Sequence, residues 1–193
     1  MATMSNVTIR KATAEDIPAI VAIYDEIHTR EEAGEVTTGW LRGVYPVQKT
    51  AEDAVARGDM YVQVVIDDDA AGSDSVVADG RVVGTAILNQ LQVDVYADGE
   101  WQYPAEDSEV MVIHTLIISR KTDLKGLGSD FLAYYEAFAL EHGCKYLRLD
   151  TNARNAAARA FYKRRGYTEI GIVPTVFNGI PGVDLVLIEK KLG

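Results

Sequence analysis

Hydrophobic residues run along the chain in patterns that predict seven β-strands. Residues 7–10 alternate apolar and polar positions, which is the period of a strand with one buried face. Residues 110–118 are almost continuously apolar, as is typical of a strand buried on both faces. Strands are predicted at residues 7–10, 60–66, 81–91, 110–118, 145–150, 167–173 and 183–188.

Hydrophobic residues at helical spacing predict four helices between these strands. In the first helix, apolar positions recur every three or four residues from Ile17 to Ile27, after a capping-box pattern of Thr13 and Asp16. The other helices are predicted at residues 48–57, 126–142 and 155–165. A hairpin comes first, then strand-helix-strand-helix-strand, and no repeat or linker divides the chain. This order predicts one mixed α/β domain over residues 1–193.

The second and third predicted strands are connected by an acidic loop and a turn. Asp79-Gly80 is a dipeptide typical of hairpin turns. The carboxylates of residues 67–75 do not match the calcium-binding spacing of a helix-loop-helix motif. A solvated hairpin tip is therefore the preferred interpretation of this loop.

Composition and net charge indicate which kinds of ligand and binding partner the protein is expected to have. The 193 residues are 48% hydrophobic and 25% charged, as in ordinary globular domains. The formal net charge of −10 disfavours nucleic acid and anionic membranes and favours a cationic ligand. Cys144 is the single cysteine, which excludes an intramolecular disulfide and a cysteine-based metal cluster. Residues 1–10 lack the pattern of a signal peptide and no apolar run is long enough to span a membrane, so we expect a cytoplasmic protein.

A glycine-containing turn after the most apolar strand is the first candidate binding site. Gly126-Leu127-Gly128-Ser129 opens a predicted helix, and Lys121 and Lys125 precede it. The unpaired N–H groups and partial positive charge of a helix start can hold a phosphate. The turn lacks the lysine of a nucleotide-hydrolase phosphate loop and the third glycine of the dinucleotide fingerprint.

Residues 150–167 contain a second motif, which strengthens the interpretation of the glycine-containing turn as a binding site. The predicted strand that ends near Asp150 is followed by Asn155, an alanine-rich helix, Phe161-Tyr162 and Gly166-Tyr167. With both segments, the chain resembles the GNAT superfamily of N-acetyltransferases along nearly its whole length. The family's cofactor signature begins with Gln or Arg, and Asp123 stands there in this chain, so one side-chain contact to the pyrophosphate is in doubt.

The resemblance implies a fold, a cosubstrate and a set of roles. It implies a GNAT-type acyl-CoA N-acyltransferase fold, a mostly antiparallel mixed sheet of about seven strands flanked by about four helices. It implies acetyl-CoA as cosubstrate without a metal, and direct transfer to an amine with Tyr162 protonating the CoA sulfur. The residues that would bind the cofactor are Leu116, Ile117, Ile118, Lys125, Gly126, Leu127, Gly128, Ser129, Asn155 and Tyr162.

The general base is less well defined by the sequence. Some members of the family carry a glutamate as general base on the strand that precedes the cofactor-binding turn. The corresponding place in this chain falls near Val112. His114 lies two residues on, on the same face of a regular strand, and is the first candidate. Glu109 and a water chain are the others. A histidine in an apolar strand is also commonly a hydrogen-bonded core residue.

The acceptor and the partners stay open at this stage. Aromatic residues in two loops, namely Trp40, Tyr45, Trp101 and Tyr103, suit a cationic amine through cation–π attraction, or pack beneath the loops instead. The acceptor is expected to be a small-molecule or peptide amine. Homodimers are common in the family, but the sequence identifies no interface. Two alternatives are a non-catalytic acyl-CoA-binding module and a nucleotide-binding regulator.

Overall fold

The computed structural model describes residues 6–66 and 80–193. The predicted acidic loop at residues 67–75 and Asp79 of the predicted turn lie outside the described residues. Seven strands form one sheet: β1 (Asn6–Lys11), β2 (Met60–Ile66), β3 (Arg81–Asn89), β4 (Val110–Ile118), β5 (Tyr146–Asn152), β6 (Thr168–Phe177) and β7 (Ile180–Lys191). Their order is β1-β2-β3-β4-β5-β7-β6, and the pair β4–β5 is parallel while the other pairs are antiparallel.

Within residues 6–66 and 80–193, four α-helices cover the sheet: α1 (Ile17–Glu32), α2 (Gln48–Arg57), α3 (Leu127–Glu141) and α4 (Ala156–Lys163). One core lies beneath α3 and α4, where Phe131 and Tyr135 are fully buried. A second core lies on the opposite face beneath α1 and α2, around Ile20. A third, on that same face, joins the loop after β3 to β7. The mixed α/β class and the sheet of seven strands with four helices are confirmed.

Strand β4 carries an irregularity in its second half. Thr85 pairs with Ile117 and Ile87 pairs with His114, so β4 has one residue more than β3 between these pairs. The extra residue is a β-bulge, and Thr115 adopts a positive φ of 54°. Bulges re-aim side chains and interrupt regular pairing. On the opposite edge of β4, the pairing with β5 reaches only as far as Val112.

The last two strands are longer than the sequence patterns predicted. Strands were predicted at residues 167–173 and 183–188, but β6 and β7 continue until Phe177 pairs with Ile180. Asn178 and Gly179 connect them with φ of 51° and 78°. Asn-Gly is the strongest short hairpin signal, and it was available in the sequence. The extension matters because the hairpin tip reaches the candidate site.

None of the described helices is long and apolar enough to cross a membrane.

Candidate active site

Strands β4 and β5 separate in the middle of the sheet and open a cleft. Their pairing runs from Val110↔Tyr146 to Val112↔Arg148 and then stops. Continued by two residues, this register would pair His114 with Asp150. Instead, both residues line a cavity of about 720 Å³ that extends between the two strands. Leu116, Ile117 and Ile118, which the resemblance assigns to the cofactor, lie beyond the end of the β4–β5 pairing, and all three line the cavity.

One end of the cavity, here called the donor half, is formed by residues 116–129 and the start of α4. Gly126 precedes α3 with a φ of 87°, a left-handed conformation that favours glycine. Leu127 and Gly128 occupy the first two helical positions, where an N–H has no partner within the helix. Both residues line the cavity, so their N–H groups are positioned for an anion.

Gly128 is not required by the packing of the protein itself. A Cβ added there would come no closer than 3.5 Å to the Phe161 ring, which is an ordinary contact distance. Positive charge is also present, because Arg165 lies 3.9 Å above the Phe161 ring and donates a hydrogen bond to Ser129 Oγ. Lys125 lines the cavity from the exposed loop. This set of backbone N–H groups and cations fits the diphosphate of an acyl-CoA.

A carboxylate from α1 fixes the loop that leads into α3. Glu26 accepts hydrogen bonds from Ser119 Oγ and from the backbone N–H of Arg120, both at 2.6 Å. These bonds tie the loop after β4 to the helix on the other face of the sheet. Asp123, at the position where the signature has Gln or Arg, is exposed and lines the cavity in this loop.

Two residues of the second motif reach the cavity from α4. Asn155 caps this helix, since its Oδ1 accepts a hydrogen bond from Ala158 N at 3.2 Å, which leaves its Nδ2 available. Tyr162 is 8% exposed and packs edge-on against Phe161 and Tyr167. Its hydroxyl has no hydrogen-bond partner among residues 6–66 and 80–193. Burial, together with the Asp150 carboxylate, raises the pKa of Tyr162 above its ordinary value, so the phenol stays protonated at neutral pH.

The other end of the cavity, here called the acceptor half, is formed by side chains from distant segments. Trp40 and Tyr45 line it from the loop between α1 and α2, with their rings edge-on at 5.8 Å. The Tyr45 hydroxyl is hydrogen-bonded to Thr115 Oγ1, on the β4 bulge. The loop is held at its base by Glu31, whose carboxylate accepts from the N–H groups of Thr38 and Gly39.

Asp150 is the ionisable residue of the acceptor half that the sequence interpretation missed. It follows Leu149 at the end of β5, is partly exposed and lines the cavity. The Tyr96 hydroxyl donates to its Oδ2 at 2.8 Å. Burial raises the pKa of Asp150 to about 6, and the Tyr96 hydrogen bond opposes that rise. The signal was present in the alternation of β5, which places Arg148 and Asp150 on the face opposite Leu147 and Leu149.

His114 lines the cavity on the other side of the cleft, but its surroundings are those of a structural residue. Its Nε2 lies 3.1 Å from Asn89 Oδ1, and Asn89 Nδ2 donates to Asp59. Because the Asn89 Nδ2 group donates to Asp59, the Asn89 Oδ1 atom is oriented towards His114 and accepts a hydrogen bond from His114 Nε2. Burial lowers the pKa of His114 to about 4, which makes it a weak base. Glu109, the second candidate, is wrongly placed for catalysis, because it precedes β4 at the end remote from the cavity.

Trp101 and Tyr103 lie outside the cavity, contrary to the expectation that they line the acceptor pocket. Trp101 donates from Nε1 to the carbonyl of Tyr96 at 2.8 Å, and Arg148 stacks over its ring at 4.1 Å. Tyr103 stacks on Tyr146 with ring centroids 6.0 Å apart. Both therefore pack beneath the loop after β3, where Trp101 supports Tyr96 from behind.

The tip of the β6–β7 hairpin supplies a wall that the sequence interpretation also missed. Phe177 and Ile180 line the cavity beside Trp40. Gly179 at the tip faces the loop between α1 and α2, because a Cβ added there would lie 3.7 Å from Val44. Two chain segments more than 130 residues apart thus meet over the acceptor half.

Comparisons with known proteins agree with this architecture. The acetyltransferase (GNAT) family model matches residues 35–167. No curated protein sequence matches the chain significantly. A GNAT-family acetyltransferase structure from Streptococcus agalactiae is similar over 100% of this chain and 99% of its own, with a TM-score of 0.74 and 21% identity.

Two further solved structures are similar at comparable coverage. The yncA protein of Salmonella typhimurium, solved with its cofactor acetyl-CoA, matches with a TM-score of 0.63 at 18% identity, over 98% of this chain and 95% of its own. A ribosomal-protein-alanine N-acetyltransferase of Brucella melitensis matches with a TM-score of 0.62 at 21% identity, over 96% and 99%. These likenesses establish the fold, and the family model covers more than half of the sequence. The chain belongs to the GNAT acetyltransferase family.

Proposed function

We propose that the protein transfers an acetyl group from acetyl-CoA directly to a primary amine. Membership of the family supports acetyl transfer in general. The single observation that carries the proposal is the cavity between β4 and β5, which joins an anion-binding helix start to a pocket with a carboxylate and aromatic walls. Both substrates have room in one continuous space, so the amine can reach the thioester without a covalent enzyme intermediate.

The residues of the donor half bind and orient the cosubstrate. The N–H groups of Leu127 and Gly128, with Lys125 and Arg165, would hold the diphosphate. The exposed backbone of residues 116–118 would pair with the amide groups of the pantetheine arm. Tyr162 would donate a proton to the departing thiolate, since its hydroxyl is protonated and forms no hydrogen bond with the described residues. The cosubstrate supplies the activated acetyl group.

The test combines binding with turnover. Calorimetric titration is expected to show micromolar binding of acetyl-CoA, and thiol release should occur with at least one member of a primary-amine panel. Gly128→Glu is expected to weaken acetyl-CoA binding at least 100-fold, because the added carboxylate occupies the phosphate position and repels the ligand. Gly171→Glu is the matched control: it adds the same charge on exposed strand β6, where a Cβ meets no atom within 4 Å.

Two results would contradict the proposal. Failure of the wild-type protein to bind acetyl-CoA would remove its cosubstrate. Binding without thiol release from any amine would favour a non-catalytic acyl-CoA-binding module.

A further inference from the structure

We infer that Asp150 is the group that receives the acceptor's ammonium and takes its proton before acetyl transfer, and that the acceptor is a primary ammonium on an apolar body. This inference rests on the proposed function and adds to it a base and a substrate class. Its starting point is a carboxylate in the cavity wall that has no cationic partner among the described residues.

The hydrogen bonds of Asp150 leave half of its carboxylate available. Oδ2 accepts from Tyr96, and Oδ1 receives no hydrogen bond from the described part of the chain. Asp150 is partly exposed and lines the cavity. A carboxylate withdrawn from bulk water without a cation is costly, and a ligand that carries an ammonium removes that cost.

The groups around Asp150 are phenols. Tyr96 contacts it from the segment after β3. Tyr162 on α4 and Tyr45 in the loop before α2 line the same cavity, and the Asp150 carboxylate contributes, after burial, to the raised pKa of each. The pKa of Tyr45 is raised to about 12, chiefly by burial, and the pKa values of the other two are also raised. All three are therefore neutral at physiological pH, and none of them neutralises the carboxylate.

The nearest charged and titratable residues on the adjoining strands have other partners. Arg148, on the same face of β5, donates to Gln92 Oε1 and to the carbonyl of Tyr103. Glu189 on β7 accepts from the backbone N–H of Gln102. His114, across the cleft on β4, is bonded to Asn89 and neutral. Asp150 is thus a carboxylate of the acceptor half that has a phenol partner, Tyr96, but no cationic partner among the described residues.

Basicity also separates Asp150 from His114. A pKa of about 6 for Asp150 against about 4 for His114 is a difference in basicity of about 100-fold. A base is most effective when its pKa lies near the working pH, and Asp150 is nearer. The walls beside it, Trp40, Phe177 and Ile180, are apolar or aromatic, which suits an ammonium on an apolar body.

The protons balance with Asp150 in this role. The ammonium gives its first proton to Asp150, and the free amine attacks the thioester carbon. The C–S bond breaks with its electron pair on sulfur, Tyr162 protonates that sulfur, and the second amine proton restores Tyr162. Asp150 then releases its proton to solvent. Protonation of Asp150 also removes a negative charge that raises the pKa of Tyr162, so the acid becomes stronger after the base has acted.

Amine binding can be measured without turnover. With the protein saturated in CoA at pH 7.5, phenethylamine and butylamine are titrated calorimetrically. Asp150→Asn keeps an acceptor for the Tyr96 hydroxyl and is expected to weaken amine binding at least 10-fold. Asp184→Asn is the matched control, since it removes the same charge from an exposed position on neighbouring strand β7, and we expect its amine affinity to stay within twofold of the wild type.

Turnover supplies the second measurement. With wild-type protein, kcat/KM is expected to rise as the pH increases through about 6, where Asp150 loses its proton. Asp150→Asn should lower kcat/KM at least 100-fold and remove that acidic limb, with acetyl-CoA affinity unchanged. Retention of the limb in Asp150→Asn, or its loss in His114→Gln instead, would overturn the assignment.

The two proposals fail in different ways. If wild-type protein releases no thiol, the transferase proposal fails, and the amine titration still decides whether Asp150 holds an ammonium. If the wild-type protein binds acetyl-CoA but neither amine, the Asp150 site is overturned while the cosubstrate site stands.

Discussion

The donor half of the cavity uses backbone from one contiguous stretch, residues 116–129, whereas the acceptor half uses side chains from separated parts of the chain. In the donor half, the N–H groups of Leu127 and Gly128 are free at the start of α3 whatever their side chains are. In the acceptor half, Asp150, Trp40 and Phe177 meet because the strands and loops that carry them pack together. The two halves therefore respond differently to substitution: binding through the N–H groups of Leu127 and Gly128 tolerates changes that spare the backbone, and the acceptor half depends on each side chain.

Different contacts hold the donor half and the acceptor half in place. The donor loop is tied down by Glu26, which accepts two hydrogen bonds from it. The acceptor half depends on a sequence of contacts, from Trp101 to the carbonyl of Tyr96 and from the Tyr96 hydroxyl to Asp150. A residue outside the cavity thus fixes the position of one inside it. Aromatic residues near a site can act as such supports rather than as ligand contacts.

Tyr162 lies between the two halves and tests whether they act in one reaction. Tyr162→Phe removes a hydroxyl that has no partner among the described residues and keeps the ring contacts with Phe161 and Tyr167. We expect kcat to fall about 100-fold, the typical contribution of a positioned general acid. Acetyl-CoA affinity and the thermal midpoint should be unchanged. Steady-state kinetics with any active amine, beside calorimetry, measures both.

Phe161→Leu is the companion variant for Tyr162. It removes the ring that packs edge-on against Tyr162 without touching a proton donor, so a comparable fall in kcat in both variants would mean that packing, not proton donation, accounts for the effect.

The sequence predicted the class of fold and the donor half well, because both depend on local patterns. Apolar periodicity locates every strand, and Gly126 and Gly128 locate the helix start that lines the cavity. The bounds of β6 and β7 were too short, because Ile172 and Val176 are exposed on an edge strand, which lacks a clean alternation of buried and exposed positions.

The acceptor half was predicted only in part, because its members come together through tertiary packing. Trp40 and Tyr45 line the cavity as expected, whereas Trp101 packs against the third core and Tyr103 stacks on Tyr146. No local pattern distinguishes these two pairs of aromatic residues. Asp150 was treated only as the end of a strand, since its exposure depends on the separation of β4 from β5, which the bulge at Thr115 accompanies.

A buried carboxylate that is used to bind a ligand lowers the free energy of unfolding of the protein without its ligand. This effect can be measured at Asp150 in the acceptor half. The folded-state pKa of Asp150 is about 6, above the ordinary 3.8, so the native state holds this proton more tightly than the unfolded state does. Stability is therefore lost as the pH rises from 3.8 to 6 and stays reduced above that. We expect Asp150→Asn to increase the free energy of unfolding by about 3 kcal/mol at pH 8 and by almost nothing at pH 3.5.

Urea denaturation at the two pH values measures this gain for Asp150→Asn. Asp184→Asn should show no such gain, since its carboxylate is exposed. An equal gain in both variants would attribute the effect to the net charge of −10 rather than to the site.

The smallest effect is expected at the wall that the β6–β7 hairpin supplies. Phe177 lines the cavity, so Phe177→Ala should raise KM for an apolar amine about fivefold, which corresponds to the loss of about 1 kcal/mol of apolar contact. We expect kcat to change little, because this contact binds the substrate and the transition state equally. Ile172→Ala, on the exposed face of the same strand at 54% exposure, is the matched control and should leave KM unchanged. A fall in kcat with constant KM in Phe177→Ala would instead show that the hairpin orients the amine for attack. The acceptor half would then position its substrate as closely as the donor half positions the cosubstrate.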